Sequence, residues 1–187
     1  MNAATTVLRK EHDAILRMLD VTEEVARQLD AQQPVPPQML LDLLEFFHLF
    51  ADRCHHGKEE GLLFPLLERK GLPRAGGPVG VMLYEHEEGR ALVREMLEAA
   101  EAYRGEVAEA GSRWSLAARR YAALLRQHIG KENNILFVMA ENLMTPAEQD
   151  ELAAAFEKVE AEKMGAGTHE RLHALMDKLA AQIFRAA

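Results

Sequence analysis

Two ten-residue stretches, HHGKEEGLLF (His55–Phe64) and HIGKENNILF (His128–Phe137), share the pattern H-x-G-K-E-x-x-[LI]-L-F and lie 73 residues apart. Each stretch, called here an HxGKE box, places a histidine four positions before a glutamate. Because residues i and i+4 lie on one face of an α-helix, about one turn apart, the two side chains of each box point the same way. The boxes therefore predict two helices that each present an imidazole and a carboxylate to a common interior.

A further histidine precedes each box at nearly the same distance. His12, in RKEHD, precedes His55 by 43 residues, and His86, in LYEHE, precedes His128 by 42 residues. The chain thus contains two copies of one helical hairpin. Packing of the two copies with pseudo-two-fold symmetry would bring equivalent residues to one place in the core.

Apolar residues recur at three- and four-residue spacing along almost the whole chain, and strand-like alternation is absent. Proline, glycine and capping residues divide this pattern into helical segments. Pro65 is expected to end or kink the second helix, and Gly111 and Ser112 to separate the third from the fourth. Thr145 and Glu148 predict a capping box. The predicted helices cover approximately residues 5–32, 37–64, 79–107, 113–143, 146–164 and 169–184.

The lengths and order of these segments indicate the fold class. Four long helices joined by short loops predict an all-α, up-down-up-down four-helix bundle. The two remaining C-terminal helices predict an addition packed against it. We expect a metal-binding four-helix bundle over residues 1–144 and a C-terminal helical extension over residues 145–187.

Composition restricts the classes of function. The net charge is −8 and no basic patch stands out, which argues against a nucleic-acid partner. The single cysteine, Cys54, permits no internal disulfide and fits a reducing cytoplasm. The N-terminus has no apolar core of a secretory signal, and no apolar run approaches the roughly 20 residues that span a bilayer. We therefore expect a cytoplasmic protein without a membrane or nucleic-acid partner.

The repeated residues form a set with the chemistry of a metal centre. Nitrogen and oxygen ligands without a thiolate suit two first-row metal ions. If each glutamate bridges the pair, each metal receives two nitrogens and two oxygens, and an oxo or hydroxo bridge adds one more ligand. One position per metal then stays open to oxygen, peroxide or nitric oxide. We expect two iron ions, with manganese or zinc as alternatives. The candidate metal ligands are His12, His55, Glu59, His86, His128 and Glu132.

Two other interpretations compete with this set. His56 and Glu60 form a second pair in the first box, about 100° around the helix from the chosen one. Their counterparts in the second box, Ile129 and Asn133, cannot ligate a metal in the same way, so His56 and Glu60 are interpreted as flanking. A plain bundle with hydrogen-bonded histidines is the other alternative. It would bury two carboxylates without a positive partner, at a cost on the order of several kcal/mol each.

At these residues the chain resembles the hemerythrin-like, or HHE cation-binding, family. The order H–HxxxE–H–HxxxE and the phrases HHGKEEGLLFP, EHEEGR and HIGKENNILF carry the resemblance, which covers about residues 5–143. It implies a four-helix bundle around a non-heme di-iron centre with bridging glutamates and an oxo or hydroxo bridge. The implied roles include oxygen binding, sensing of oxygen or iron, nitric-oxide handling and repair of iron–sulfur centres.

The chain departs from the oxygen-carrying members at one position. The carriers have a similar pattern with one further histidine, so that two histidines lie four apart on the third helix. In this chain Arg90 lies four residues after His86, and Met82 lies four residues before it. This difference disfavours reversible oxygen transport. We expect binding or sensing of a small oxidant (O2, peroxide or NO). The alternatives are a di-iron enzyme or repair factor, and an interaction module with a structural metal.

Two polar residues follow the same face of the predicted helices. His48 and Tyr121 each lie seven residues before a box histidine, which places them about 10 Å away along the helix axis. They are interpreted either as polar core residues or as part of an access path to the metals. Cys54 is interpreted as a packed helix residue.

Overall fold

The computed structural model describes residues 3–165 and 167–184, and within these residues the chain is helical and contains no strand. This confirms the all-α class, with a four-helix bundle followed by two further helices. Two of the six helices, α2 over residues 37–69 and α4 over residues 110–143, are built from several segments. The other four are α1 (Ala3–Asp30), α3 (Pro78–Arg104), α5 (Pro146–Met164) and α6 (Thr168–Phe184).

The composite helices change their winding where the HxGKE boxes lie. α2 comprises α-helical Pro37–Phe46, π-helical Phe47–His56 and Glu59–Leu63, and α-helical Phe64–Arg69. α4 comprises α-helical Ala110–Lys131, π-helical Glu132–Leu136 and α-helical Phe137–Leu143. A π-helix bonds i to i+5, so it rotates later side chains relative to an α-helix, and such segments are frequent at functional sites. The spacing of apolar residues in the sequence was interpreted with α-helical geometry and therefore did not predict the π-helical segments.

Pro65 was expected to end or kink the second helix, and the structure shows that it does not end it. The helix passes from its second π segment directly into Phe64–Arg69. Pro65 lies in the first turn of that last segment. Because this segment continues an existing helix, Pro65 lies inside the composite helix, and its missing N–H removes one hydrogen bond where the winding changes from π to α.

The expected break at Gly111 and Ser112 is also wrong, because α4 already begins at Ala110. A Cβ atom at Gly111 would lie 3.4 Å from Leu29 Cδ2 and 3.4 Å from Tyr103 Cε2. The glycine thus permits the close approach of α1 and α3 to the first turn of α4. Its role is packing between helices, which a local sequence signal does not distinguish from a helix stop.

The capping box before α5 is confirmed. The Thr145 hydroxyl accepts a hydrogen bond from the Glu148 N–H at 3.3 Å, and Glu148 Oε2 accepts one from the Thr145 N–H at 2.8 Å. Pro146 occupies the first turn. These contacts satisfy two N–H groups that a helix start leaves unpaired.

Two apolar cores fill the bundle, and the candidate ligands lie between them along every helix of the bundle. On α1, Leu8 belongs to one core and Ile15 to the other, with His12 between them. On α3, His86 falls between Met82 and Leu92 in the same way. The fold therefore places one polar layer between two apolar ones.

The C-terminal helices share both cores with the bundle. Leu152 and Phe156 of α5 join one core, and Leu172 and Leu179 of α6 join the other. The division at residue 144 stays a prediction, since this packing is continuous. No helix in the described part of the chain is both long and apolar enough to cross a membrane.

Candidate metal centre

The four predicted histidines form two pairs inside the bundle. His12 Nε2 lies 2.9 Å from His55 Nε2, and His86 Nε2 lies 3.1 Å from His128 Nε2. All four side chains are buried. Each pair joins one upstream histidine to the box histidine of its own repeat, as the 43- and 42-residue spacings predict.

Both predicted carboxylates reach both histidine pairs. Glu132 Oε2 lies 3.1 Å from His12 Nε2 and 3.3 Å from His128 Nε2. The two oxygens of Glu59 divide between the pairs, with Oε1 3.6 Å from His55 Nε2 and Oε2 3.5 Å from His86 Nε2. The structure thus brings all six candidate ligands together, while their role as ligands stays a prediction.

The second ring nitrogen of each histidine points away from this centre to an oxygen acceptor. The distances lie between 2.7 and 2.9 Å. Because a carboxylate or amide oxygen accepts, each Nδ1 carries the proton and donates it. The pairs are His12 with Asn133 Oδ1, His55 with Glu11 Oε2, His86 with Glu60 Oε1, and His128 with Glu85 Oε2.

This tautomer leaves a lone pair on every Nε2, so the two lone pairs of each histidine pair face one another. At 2.9 and 3.1 Å they repel unless a positive charge lies between them. Two nitrogens bound to one metal at about 2.1 Å and 90° lie about 3.0 Å apart, which matches both distances. The geometry therefore fits one cation for each pair.

The acceptors are themselves held by cationic side chains. Lys58 donates to Glu11 and Lys131 donates to Glu85. Arg90 Nη2 donates to Glu60 Oε1 at 2.7 Å, and Arg9 Nη1 donates to Asn133 Oδ1 at 3.3 Å. Each imidazole thus ends a chain of cation, acceptor and ring, an arrangement that fixes ring orientation and raises the basicity of a metal-bound histidine.

Glu60 and Asn133 have a role that the sequence alone did not predict. Glu60 was interpreted as flanking because its counterpart Asn133 cannot ligate a metal as a glutamate does. They occupy equivalent positions of the two boxes, and both side chains carry an oxygen that accepts a bond from the upstream histidine of the opposite copy. The shared oxygen at matched positions was the available signal.

The charges at the centre also fit a bound cation. All four carboxylate oxygens of Glu59 and Glu132 are buried and accept no hydrogen bond from the described residues. Burial and the neighbouring Glu132 raise the pKa of Glu59. Burial lowers the pKa of His55 and His86, which favours the neutral imidazole that metals bind. A divalent cation would stabilise the ionised carboxylates and the neutral rings together.

His56 lies beside the cluster rather than merely flanking it, which corrects the interpretation from sequence. A ring nitrogen of His56 lies within 4.8 Å of ligand atoms of Glu59, His86 and His128. Its ring stacks on that of His86, with centroids 3.8 Å apart and planes at 15°. The 100° offset assumed an α-helix, whereas His56 ends a π-helical segment. A fifth imidazole therefore adjoins the second pair.

Three further residues considered in the sequence, His48, Cys54 and Tyr121, lie outside the two histidine pairs and their carboxylates. Tyr121 is buried and His48 is exposed, and both line one cavity. Cys54 is buried, and burial raises the pKa of its thiol to about 11. It comes close to Glu11 and Glu160, but the Lys58 ammonium binds both of those carboxylates. Lys58 therefore supplies the positive charge at that point.

Comparison with known proteins supports the same assignment. The model of the hemerythrin HHE cation-binding domain matches residues 3–140, which is most of the chain. The chain belongs to this family. The match includes all four helices of the bundle and every candidate ligand, so cation binding is the property that this HHE chain shares with its family.

The chain is also similar to mycobacterial proteins that are described only as uncharacterized. Over 158 residues, or 84% of the chain, it is 25% identical to uncharacterized proteins of Mycobacterium tuberculosis and Mycobacterium bovis. The alignment spans 61% of the length of those proteins.

Proposed function

We propose that this HHE chain is a non-heme di-iron protein that binds or senses a small oxidant, namely O2, peroxide or NO. The observation that carries the proposal is the convergence of four deprotonated Nε2 atoms, in two pairs, on two buried carboxylates. Iron, rather than manganese or zinc, is part of the proposal. The residues that would hold the two ions are His12, His55, Glu59, His86, His128 and Glu132, with His56 beside the second ion.

Two ferrous ions held by these residues would supply electrons and open coordination positions to a small oxidant. The chain contributes rigidity, since hydrogen bonds at Nδ1 hold every ring in place. It also excludes water. The Phe137 ring stacks on His12 with centroids 5.4 Å apart, and the Phe64 ring stacks on His86 at 5.8 Å. Apolar walls of this kind protect a reactive adduct from solvent.

A second candidate function is oxidant turnover or repair, including delivery of iron to damaged iron–sulfur clusters. One observation favours it over reversible oxygen carriage. The two positions four residues from His86, where the oxygen carriers have a second histidine, are Met82 and Arg90 here, and the Arg90 guanidinium is bound to Asp52, Glu60 and Glu87. Arg90 therefore takes no part in ligation.

We place this function in a reducing cytoplasm, without a nucleic-acid or membrane partner. Support comes from the acidic net charge and from the single, buried Cys54. An oxidant sensor that keeps a ferrous centre needs such a reducing environment.

Anaerobic iron loading tests the proposal. The chain should retain about two irons and show oxo-to-iron charge-transfer bands in the near ultraviolet when oxidised. The double variant His55→Ala, His128→Ala removes one ligand from each pair and should lose both irons, whereas the exposed His48→Ala serves as the control. Less than one iron per chain, or full retention in the double variant, would contradict a di-iron centre.

Stopped-flow mixing separates the two candidate functions. The diferrous chain is mixed with O2, peroxide or NO, with and without an electron donor. A single, stable adduct supports binding or sensing. Many turnovers per chain in the presence of the donor support the enzymatic alternative.

A further inference from the structure

The first turns of α6 carry two histidines, His169 and His173, that lie one helical turn apart and partly exposed at the surface. Their Nε2 atoms lie 2.9 Å apart. Two nitrogens bound to one metal at about 2.1 Å and 90° lie about 3.0 Å apart, so this separation suits two ligands of one ion. Histidines four residues apart on one helical face are also the zinc-binding arrangement of many metalloproteases.

A carboxylate beside His169 determines which of its ring nitrogens keeps a lone pair. Glu160 Oε1 of α5 lies 2.8 Å from His169 Nδ1. The contact lacks hydrogen-bond geometry, but a carboxylate oxygen at this distance repels a lone pair, so Nδ1 carries the proton. His169 Nε2 then keeps its lone pair and faces His173. A proton toward a carboxylate and a lone pair toward the ion is the usual state of a metal-bound histidine.

The state of His173 differs between the metal-free and the metal-bound chain. Without metal, His173 Nε2 donates a hydrogen bond to His169 Nε2, which accounts for the 2.9 Å distance. A metal ion replaces this hydrogen bond. The proton of the half-buried His173 ring then moves to Nδ1, and both Nε2 lone pairs face the ion.

Both imidazoles are held in place and still accessible from solvent. The Phe50 ring of α2 packs beside them, with its centroid 6.0 Å from that of His169 and 6.0 Å from that of His173. Rings that are ordered before binding lose less conformational entropy when a ligand arrives. The side chain of His169 is 35% exposed, so an ion can reach Nε2 and water can complete its coordination.

The charges near the pair favour a cation. Lys58 contacts both Glu11 and Glu160, so one of these two negative charges is not neutralised by it. Glu170 adds an exposed carboxylate in the first turn of α6. These groups offset the positive end of the helix dipole, which disfavours a cation at His169. The neighbouring ion pairs are neutral as units, namely Arg171 with Glu45, Lys178 with Asp42 and Arg17 with Asp177.

We propose that His169 and His173 form a third metal site, which binds one divalent transition-metal ion of the class that prefers nitrogen ligands, such as Ni²⁺, Cu²⁺ or Zn²⁺. The site lies outside the di-iron centre and does not depend on it. Glu160 orients His169 and also binds Lys58, so it connects the ion to the covered side of the first histidine pair. Ferrous iron binds nitrogen ligands more weakly than these three ions, which separates the third site from the two iron positions.

Calorimetric titration of Ni²⁺ into the iron-loaded, full-length chain tests the site. The wild type should bind one Ni²⁺. The double variant His173→Ala, Ala174→His keeps the number of histidines but moves the second imidazole about 100° around α6. It should weaken Ni²⁺ binding at least tenfold. His48→Ala removes an exposed histidine of α2 and should bind Ni²⁺ as the wild type does.

The role of Glu160 has its own test. Glu160→Gln keeps the shape of the side chain but removes its charge, and should weaken Ni²⁺ binding about tenfold. Glu157→Gln, exposed on the same helix, is the matched control. With Cu²⁺ as the probe, the electron paramagnetic resonance spectrum should show coupling to two imidazole nitrogens in the wild type and to fewer in the double variant of His173 and Ala174.

Helicity of every variant is measured first, and His169→Asn replaces the double variant if that one does not fold. Equal Ni²⁺ binding by the wild type and the variant would show that the two histidines form only a hydrogen bond, and would overturn the third site. An unchanged affinity in Glu160→Gln would overturn the role of Glu160. Because the readout is the difference between wild type and variant, its failure leaves the di-iron proposal standing. A chain that retains no iron would instead contradict the proposed function and not the third site.

Discussion

The two halves of the His/Glu cluster come from one repeated hairpin, yet their surroundings differ. In the first half, Lys58 holds the acceptor of His55, is fully buried, and also donates to Glu160 of α5 at 2.9 Å. In the second half, Lys131 holds the acceptor of His128 and is 36% exposed. The repeat builds two similar histidine pairs, and the C-terminal helices cover only one of them.

The covering of the first half extends to α6. Glu160 Oε1 lies 2.8 Å from His169 Nδ1, and the His169 and His173 Nε2 atoms lie 2.9 Å apart. A series of close polar contacts thus links α6 to His55, although the Glu160–His169 contact lacks hydrogen-bond geometry. Beside the second half lies a cavity of about 220 Å³, which His56 lines and none of the six candidate ligands lines. Sequence symmetry therefore positions the two histidine pairs, whereas the later helices determine which pair is covered.

The largest expected difference between the halves is in the free energy of unfolding after removal of each lysine. Lys58→Met leaves the buried Glu11 carboxylate without its cation and should cost about 3–5 kcal/mol. Lys131→Met removes a partly exposed partner and should cost less than about 1 kcal/mol. Urea unfolding of both variants measures the two values. Equal costs would show that burial of the first half contributes nothing.

Acid should act on both halves of the metal-free chain in the same direction. Burial lowers the pKa of His55, His56 and His86, so each binds a proton more readily in the unfolded chain. Their contribution is complete above the ordinary histidine pKa of 6.5 and is lost as pH falls below it. Glu59, whose pKa is raised by burial and by Glu132, acts in the opposite direction with one proton against three, and Glu11, whose pKa burial also raises, opposes the histidines just above the ordinary glutamate pKa of 4.5.

The expected net loss rises as the unfolded histidines become protonated, and it approaches two protons' worth of stability, on the order of 3 kcal/mol per pH unit, about one unit below pH 6.5. Urea unfolding of the metal-free chain between pH 8 and pH 5 measures it. A flat profile would contradict the burial of neutral imidazoles in both halves.

The smallest expected effect is that of the contact between the extension and the first half. Glu160→Gln keeps the shape of the side chain but weakens its bond to Lys58, and should cost about 1 kcal/mol of unfolding free energy. It should also speed release of one of the two irons to a chelator, while the other is released at the wild-type rate. Glu157→Gln, exposed on the same helix, is the control. Uniform release of both irons in the Glu160 variant would contradict a selective link.

Much of the fold was predictable because local sequence signals mark the helices. Apolar period, prolines and the Thr145–Glu148 capping box indicate helices and their ends, and the internal repeat selects residues that converge. The π-helical segments were not predictable, because their wider turns depend on packing around the polar layer rather than on local propensity. The position of His56 depends on the π-helical winding, so the sequence wrongly suggested that this residue only flanks the cluster.

The oxygen acceptors of the histidine Nδ1 atoms were partly predictable from the sequence. Glu11 and Glu85 precede the upstream histidines in both copies, so the repeat marks them, but it does not reveal that each serves the box histidine of its own hairpin. Such cross-helix contacts depend on helix rotation about the bundle axis. The role of Glu160 depends on where α5 docks, which no local pattern encodes.

Anomalous X-ray diffraction at the iron edge, on crystals of the iron-loaded chain, would locate the metal ions themselves. We expect two peaks, one between His12 Nε2 and His55 Nε2 and one between His86 Nε2 and His128 Nε2, with Glu59 and Glu132 reaching both. No peak between either pair, or iron bound only at a surface site such as His169 and His173, would contradict a two-metal centre in this bundle.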